Sequence, residues 1–256
     1  MNSLYDNVSE VMPAKKTGAK LGGDQVVWVY RLGCFLMRLI FAITLRVRHR
    51  HLERLDRAGG YILACSHVSH LDPFCLAAIS PRCIGWMARI EFFRRSWSAA
   101  ALGVLGAFQV NRQGVPVSAI REALRRIDNG EVVGIFPEGE IKKGANSVLR
   151  GGAIKRGVCL LAAHSGRPVV PCLVVGTEKL NAVAPWLPFS RANLWVICGA
   201  PIEPTEPTEP TEPMETMVAG NPRVARQLMA ERIEAAFVEL YAELRTSFAL
   251  EDSIVP

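Results

Sequence analysis

Between positions 61 and 74 the chain reads YILACSHVSHLDPF, an apolar pentad followed at once by His67, His70 and Asp72. Histidine titrates near neutrality, so an imidazole steered by a carboxylate can take a proton from a hydroxyl and return it. Three chemistries compete for these residues. They could form a metal site from His67, His70 and Asp72, a catalytic His67–Asp72 pair, or a polar loop in which Asp72 caps a helix started by Pro73. A metal site needs a further ligand or an open water position. His49, His51 and His164 show no paired spacing with carboxylates or thiols, and the cysteines form no CxxC pair, so no metal is expected. His67 and Asp72 lie five positions apart, roughly 140° round an ideal helix, so the pair requires a compact turn between a strand end and a helix start.

Other residues could bind an anion. LGAFQVNRQG, at 105–114, ends an apolar run with Arg112, whose planar guanidinium matches a phosphate's oxygens. VVGIFPEGEIKKG, at 132–144, ends a strand in the Glu138–Gly139 turn and offers Lys142, and GGAIKRGVCLLAA carries Lys155. Each is weak alone, because Pro-Glu-Gly is a turn and Arg112 is compatible with a plain surface position.

These residues need a scaffold. Apolar strand candidates fall at 61–65, 84–88, 108–112, 132–136, 169–175 and 194–198, and helix candidates at 73–79, 117–128 and 149–164, with Gly130 and Gly166 beyond two helix ends. The alternation predicts an α/β fold, a mixed, mostly parallel central sheet flanked by helices, in which ligands collect at the carboxyl ends of strands. EPTEPTEPTEP predicts an extended spacer over 203–220. Beyond it, Asn221 and Pro222 start a helix whose stripe of Val224, Leu228, Ile233, Phe237, Leu240 and Leu244 should pack on the domain.

The formal net charge of +6 favours a negatively charged partner, and a mean hydropathy of +0.18 points to a surface in contact with more than water. Seven cysteines, an odd number, read as small buried residues in a reducing compartment. Residues 1–24 are polar and basic, without a signal-peptide core. The next twenty, VVWVYRLGCFLMRLIFAITL at 26–45, are long enough to span a bilayer, but Arg31 and Arg38 would each cost about 2.5–3.5 kcal/mol at its centre. An amphipathic helix in the membrane interface keeps both guanidinium groups among headgroups, and RVRHRH at 46–51 adds charge for anionic lipid. A core helix of a soluble domain is the competing expectation.

Taken in order, the blocks HVSHLD, GAFQVNR, FPEG and VVPCLV resemble those of the glycerolipid acyltransferase family typified by 1-acyl-sn-glycerol-3-phosphate acyltransferases, over roughly residues 61–176. The resemblance implies acyl transfer from an acyl thioester, acyl-CoA or acyl carrier protein, to a lysophospholipid hydroxyl, with no cofactor. His67 would be the base and Asp72 its partner; Arg112, Glu138 and Gly139 would hold a phosphorylated acceptor, with Lys142 or Lys155 as further anion contacts. The chain departs from the family pattern after FPEG, where Glu140, Ile141 and Lys142 stand in place of Thr-Arg-Ser, and at Ser66 and His70. These departures leave another lyso-lipid, such as a lyso-aminolipid, open as acceptor. A metal-dependent hydrolase and a non-catalytic membrane-binding protein are the alternative classes. The organisation implied is a basic segment at 1–24, a membrane-associated helical segment at 25–51, an acyltransferase domain at 52–202, the spacer, and a C-terminal helix at 221–256. The chain is expected at the cytoplasmic face of a membrane, with lipid, acyl donor and membrane surface as partners and no nucleic acid.

Overall fold

The computed structural model describes residues 23–111, 117–177, 192–204 and 222–250. The basic N-terminal residues, Arg112, Asn221 and nearly all of the Thr-Glu-Pro repeat lie outside the described residues. In chain order the elements are α1 (Gly23–Thr44), β1 (Leu45–Arg50), β2 (Tyr61–Cys65), α2 (Asp72–Ile79), β3 (Ile84–Arg89), α3 (Ser96–Val104), β4 (Phe108–Val110), α4 (Val117–Asp128), β5 (Val132–Ile135), α5 (Gly157–Ser165), β6 (Val169–Val175), β7 (Ala192–Cys198) and α6 (Pro222–Phe248).

The seven strands form one sheet in the order β1-β7-β6-β2-β5-β3-β4. Every neighbouring pair is parallel except β6 with β7. Alternation along the central strands divides the apolar residues between two cores. Ile62 and Ala64 of β2, with Val169, Leu173 and Val175 of β6, face α4, α5 and α6. Tyr61, Leu63 and Cys65, with Val170, Cys172 and Val174, face α1 and α2. Both faces of β2 are therefore dry, which is why its sequence is a continuous apolar run.

Several expectations change in the structure. RVRHRH supplies most of β1, an edge strand paired with β7, so the division at 51/52 cuts through the sheet. Leu45 is buried and Val47 half-buried, while Arg46, Arg48 and Arg50 are exposed, a charged edge that discourages pairing with another chain. The helix expected over 149–164 begins only at Gly157. Gly151 adopts φ +83°, and a Cβ at Gly152 would fall 2.2 Å from the Asn146 carbonyl oxygen, so this segment turns back on itself instead of continuing a helix. The short helix α3 gave no clear sequence signal. In α6, Ile233, Phe237, Leu240 and Leu244 are buried as the stripe predicts, but Leu228 is exposed and Met229 takes the inward position.

Helix α1 has two apolar sides. Tyr30, Cys34 and Phe41 pack inward, and the Tyr30 hydroxyl accepts the Ile84 N–H at 2.9 Å. Trp28, Leu32, Phe35, Leu36, Leu39 and Ile40 are exposed. Arg38 is exposed, and its guanidinium donates to the carbonyls of Ala78 and Ser80 at the end of α2. No helix among the described residues is long and apolar enough to cross a membrane. Burial raises the thiol of Cys159 to about 11, and six of the seven cysteines are buried, so these thiols are inert packing groups.

Candidate active site

The carboxyl end of β2 opens into the loop 66–71, and three elements hold that loop in place. The Ser66 hydroxyl accepts the Val174 N–H at 3.1 Å and so fastens the loop to β6. The His67 N–H donates to Glu138 Oε2 at 3.0 Å, which fastens it to the turn after β5. Asp72 closes it from within: Oδ2 accepts the N–H groups of Val68 and Ser69 at 2.8 and 2.9 Å and contacts His67 Nδ1 at 3.1 Å. Thr177, just beyond β6, donates its hydroxyl to the other oxygen, Oδ1, at 2.5 Å.

Asp72 is thus the first residue of α2 and not its N-cap, a position held by Leu71. Pro73 has no N–H needing an acceptor, and the carboxylate is drawn back toward the loop by two N–H groups, a hydroxyl and the imidazole. The side chain is fully buried. Its hydrogen bond to Nδ1 fixes the orientation of the imidazole and leaves Nε2 for proton exchange. The ring of Phe136 stacks on His67 with centroids 4.0 Å apart, and Trp86 stacks on Phe136 at 4.9 Å, so the imidazole is braced on one flat side.

His67 lines a cavity of about 650 Å³ at the carboxyl ends of β2, β3, β4 and β5. Much of its wall is apolar, from Trp86, Met87, Leu102, Val110, Ile135 and Leu161. Gly139 and Lys155 also line it. Gly139 needs its φ of +73° and its missing side chain, because a Cβ there would fall 2.6 Å from Lys155 Nζ. Glu138 stands apart from the wall. It is fully buried, Oε1 accepts the Val148 N–H at 2.9 Å, and Oε2 is engaged with His67. Burial raises its pKa, against the lowering by the N–H groups of Val148 and His67. Glu138, implied as an acceptor contact, thus does not line the cavity and instead holds the backbone of His67 behind it.

Lys142 does not line the cavity, and Arg112 lies outside the described residues. Arg89, at the end of β3, lines the wall and escaped the sequence reading. Its signal was the one that singled out Arg112, an apolar strand ending in a guanidinium. Thr177 escaped as well, since a threonine after a glycine carries no mark of a partner more than a hundred residues away. His70, also on the wall, is exposed and sits with its ring 6.1 Å from that of His67. Among the described residues, no group of three or more His, Cys, Asp or Glu side chains is placed to hold a metal ion.

A family model described as Acyltransferase matches residues 46–175, half of the chain. This chain belongs to the acyltransferase family. Two curated relatives within it are named 1-acyl-sn-glycerol-3-phosphate acyltransferase. One, from Bacillus subtilis, is 27% identical over 176 residues, covering 68% of this chain and 83% of its own. The other, from Streptococcus pneumoniae, is 25% identical over 194 residues, covering 74% and 66%. Among solved structures, the 1-acyl-sn-glycerophosphate acyltransferase PlsC from Thermotoga maritima superposes with a TM-score of 0.57 at 19% identity, covering 85% of this chain and 80% of its own, and so shares the fold. The acyltransferase match runs from β1 to the end of β6. It takes in the His67 loop, the Glu138 turn and the cavity, and leaves out all of α1, β7 and α6.

Proposed function

We propose that this acyltransferase moves a fatty acyl group from a thioester donor to the hydroxyl of 1-acyl-sn-glycerol 3-phosphate, with His67 as general base. The observation that carries the proposal is the His67–Asp72 pair standing on the wall of a mostly apolar cavity. His67 Nε2 takes the proton of the acceptor hydroxyl as its oxygen attacks the thioester carbonyl. Asp72 stabilises the resulting imidazolium. The C–S bond then breaks, and the proton passes from His67 to the departing thiolate. A thiol of pKa about 8.5 leaves far more readily than an alcohol, so the chemistry asks for positioning and proton transfer and no covalent enzyme intermediate. The apolar wall suits a fatty chain, and Lys155 and Arg89 are cations that suit the acceptor's phosphate. The names of the curated relatives support this choice of acceptor.

The exposed stripe of α1 supports docking on a membrane surface, where a lysolipid resides. Trp28 and Phe35 are aromatic anchors suited to the interface, and the helix lies on the protein through its opposite side.

The test is acyl transfer by the purified protein to a panel of lysolipids, with products identified by mass spectrometry. His67→Ala should lower turnover about 10³-fold or more, as loss of a general base with its positioned partner does, whereas His70→Ala should retain most of it. Full turnover by the His67 variant, or transfer to every lysolipid of the panel except 1-acyl-sn-glycerol 3-phosphate, would overturn the proposal.

A further inference from the structure

The acyltransferase match ends at residue 175, and α6 begins at Pro222. Yet α6 makes a polar contact with the segment that supplies the cavity's lysine. Glu234, half-buried, accepts the Ile154 N–H on Oε1 at 2.9 Å. Lys155 comes next, and its own N–H donates to the Pro137 carbonyl at 2.8 Å. Its side chain lies across Gly139 on the cavity wall. The pair Ile154–Lys155 is thereby fixed on one side by α6 and on the other by the turn carrying Glu138, whose carboxylate holds the His67 N–H. Ile154 is buried, so its N–H would lose its acceptor without Glu234 and the segment would have to move to find another.

We infer that Glu234 is a positioning residue for the anion-binding side of the cavity: it sets where the Lys155 ammonium stands relative to His67. The inference rests on the proposed role of Lys155 as a contact for the acceptor's phosphate. Glu234 reaches that phosphate only through the lysine, so its effect belongs to acceptor binding and not to the acyl donor or to proton transfer.

The experiment measures glycerol 3-phosphate binding by calorimetry on the full chain, beside acceptor and donor kinetics. Displacing a binding group by a fraction of an ångström from a distance is expected to weaken glycerol 3-phosphate about tenfold in Glu234→Ala, with a matching rise in acceptor KM and little change in donor KM or kcat. Glu234→Gln keeps a carbonyl acceptor and should stay within about twofold of the parent, and in a Lys155→Ala background Glu234→Ala should add less than about twofold, because both act through one group. Overturning results are a Glu234→Ala protein with a lowered Tm but unchanged affinity and KM, full additivity with Lys155→Ala, or no glycerol 3-phosphate affinity in the parent. Glycerol 3-phosphate binding without any acyl transfer would sink the functional proposal, and the same binding series would still decide for or against Glu234.

Discussion

The two loops that meet at His67 each bury one carboxylate completely, and they use it differently. In the loop after β2, Asp72 gathers two N–H groups, a hydroxyl and the imidazole. In the turn after β5, Glu138 receives the His67 and Val148 N–H groups, and burial raises its pKa overall. One carboxylate touches the ring nitrogen of His67 and the other holds only that residue's backbone. The comparison teaches that burial and hydrogen bonding alone do not tell the two carboxylates apart; the atom at the other end of the bond does.

Three substitutions sharpen this contrast. Asp72→Asn presents an amide N–H₂ or a single carbonyl where several donors converge, and it disturbs the imidazole's tautomer; turnover should fall about 10³–10⁴-fold, measured on protein whose near-UV spectrum confirms folding. A loss under tenfold would place Asp72 with Glu138 as a bracket. Glu138→Gln should be milder. It leaves one of two N–H groups facing an amide donor, a cost of about 1–3 kcal/mol in stability, and turnover should drop about tenfold as His67 shifts.

The same variant tests the sign of the Glu138 titration. Its pKa lies above the ordinary 4.5, so the native state holds the proton more tightly than the unfolded chain. The associated stability is fully present below pH 4.5 and is lost as pH rises through the raised native pKa. Urea unfolding across that window should show this decline in the difference between the parent and Glu138→Gln, whose amide does not titrate. Smallest is Thr177→Val, which leaves Asp72 Oδ1 without its hydroxyl. It should cost about 1–3 kcal/mol, read as a lower urea midpoint, with a severalfold loss of turnover and no change in acceptor KM.

Most of the scaffold could be read from one-dimensional pattern. Strand β2 and helix α4 stand where their apolar runs and flanking signals put them, because both are dictated locally by period and punctuation. Strand β1 escaped because an edge strand needs only one apolar side, and RVRHRH carries its charge on the other. The segment at 149–156 misled because its helical composition is overridden by the close approach of Gly152 to Asn146.

The sequence by itself determined the residue types at the site: a histidine and an aspartate placed between a buried strand and a proline-started helix, a Pro-Glu-Gly turn, and a set of basic side chains. Only the tertiary structure decided which of them meet. It turned Asp72 back from capping to the imidazole, drew in Thr177 from beyond β6, put Glu138 behind His67 rather than in the cavity, and left Lys142 off the wall while bringing Arg89 onto it. The reason is physical. Local pattern records which side chains avoid water, whereas a hydrogen bond across a hundred residues exists only once parallel strands have brought their carboxyl ends together.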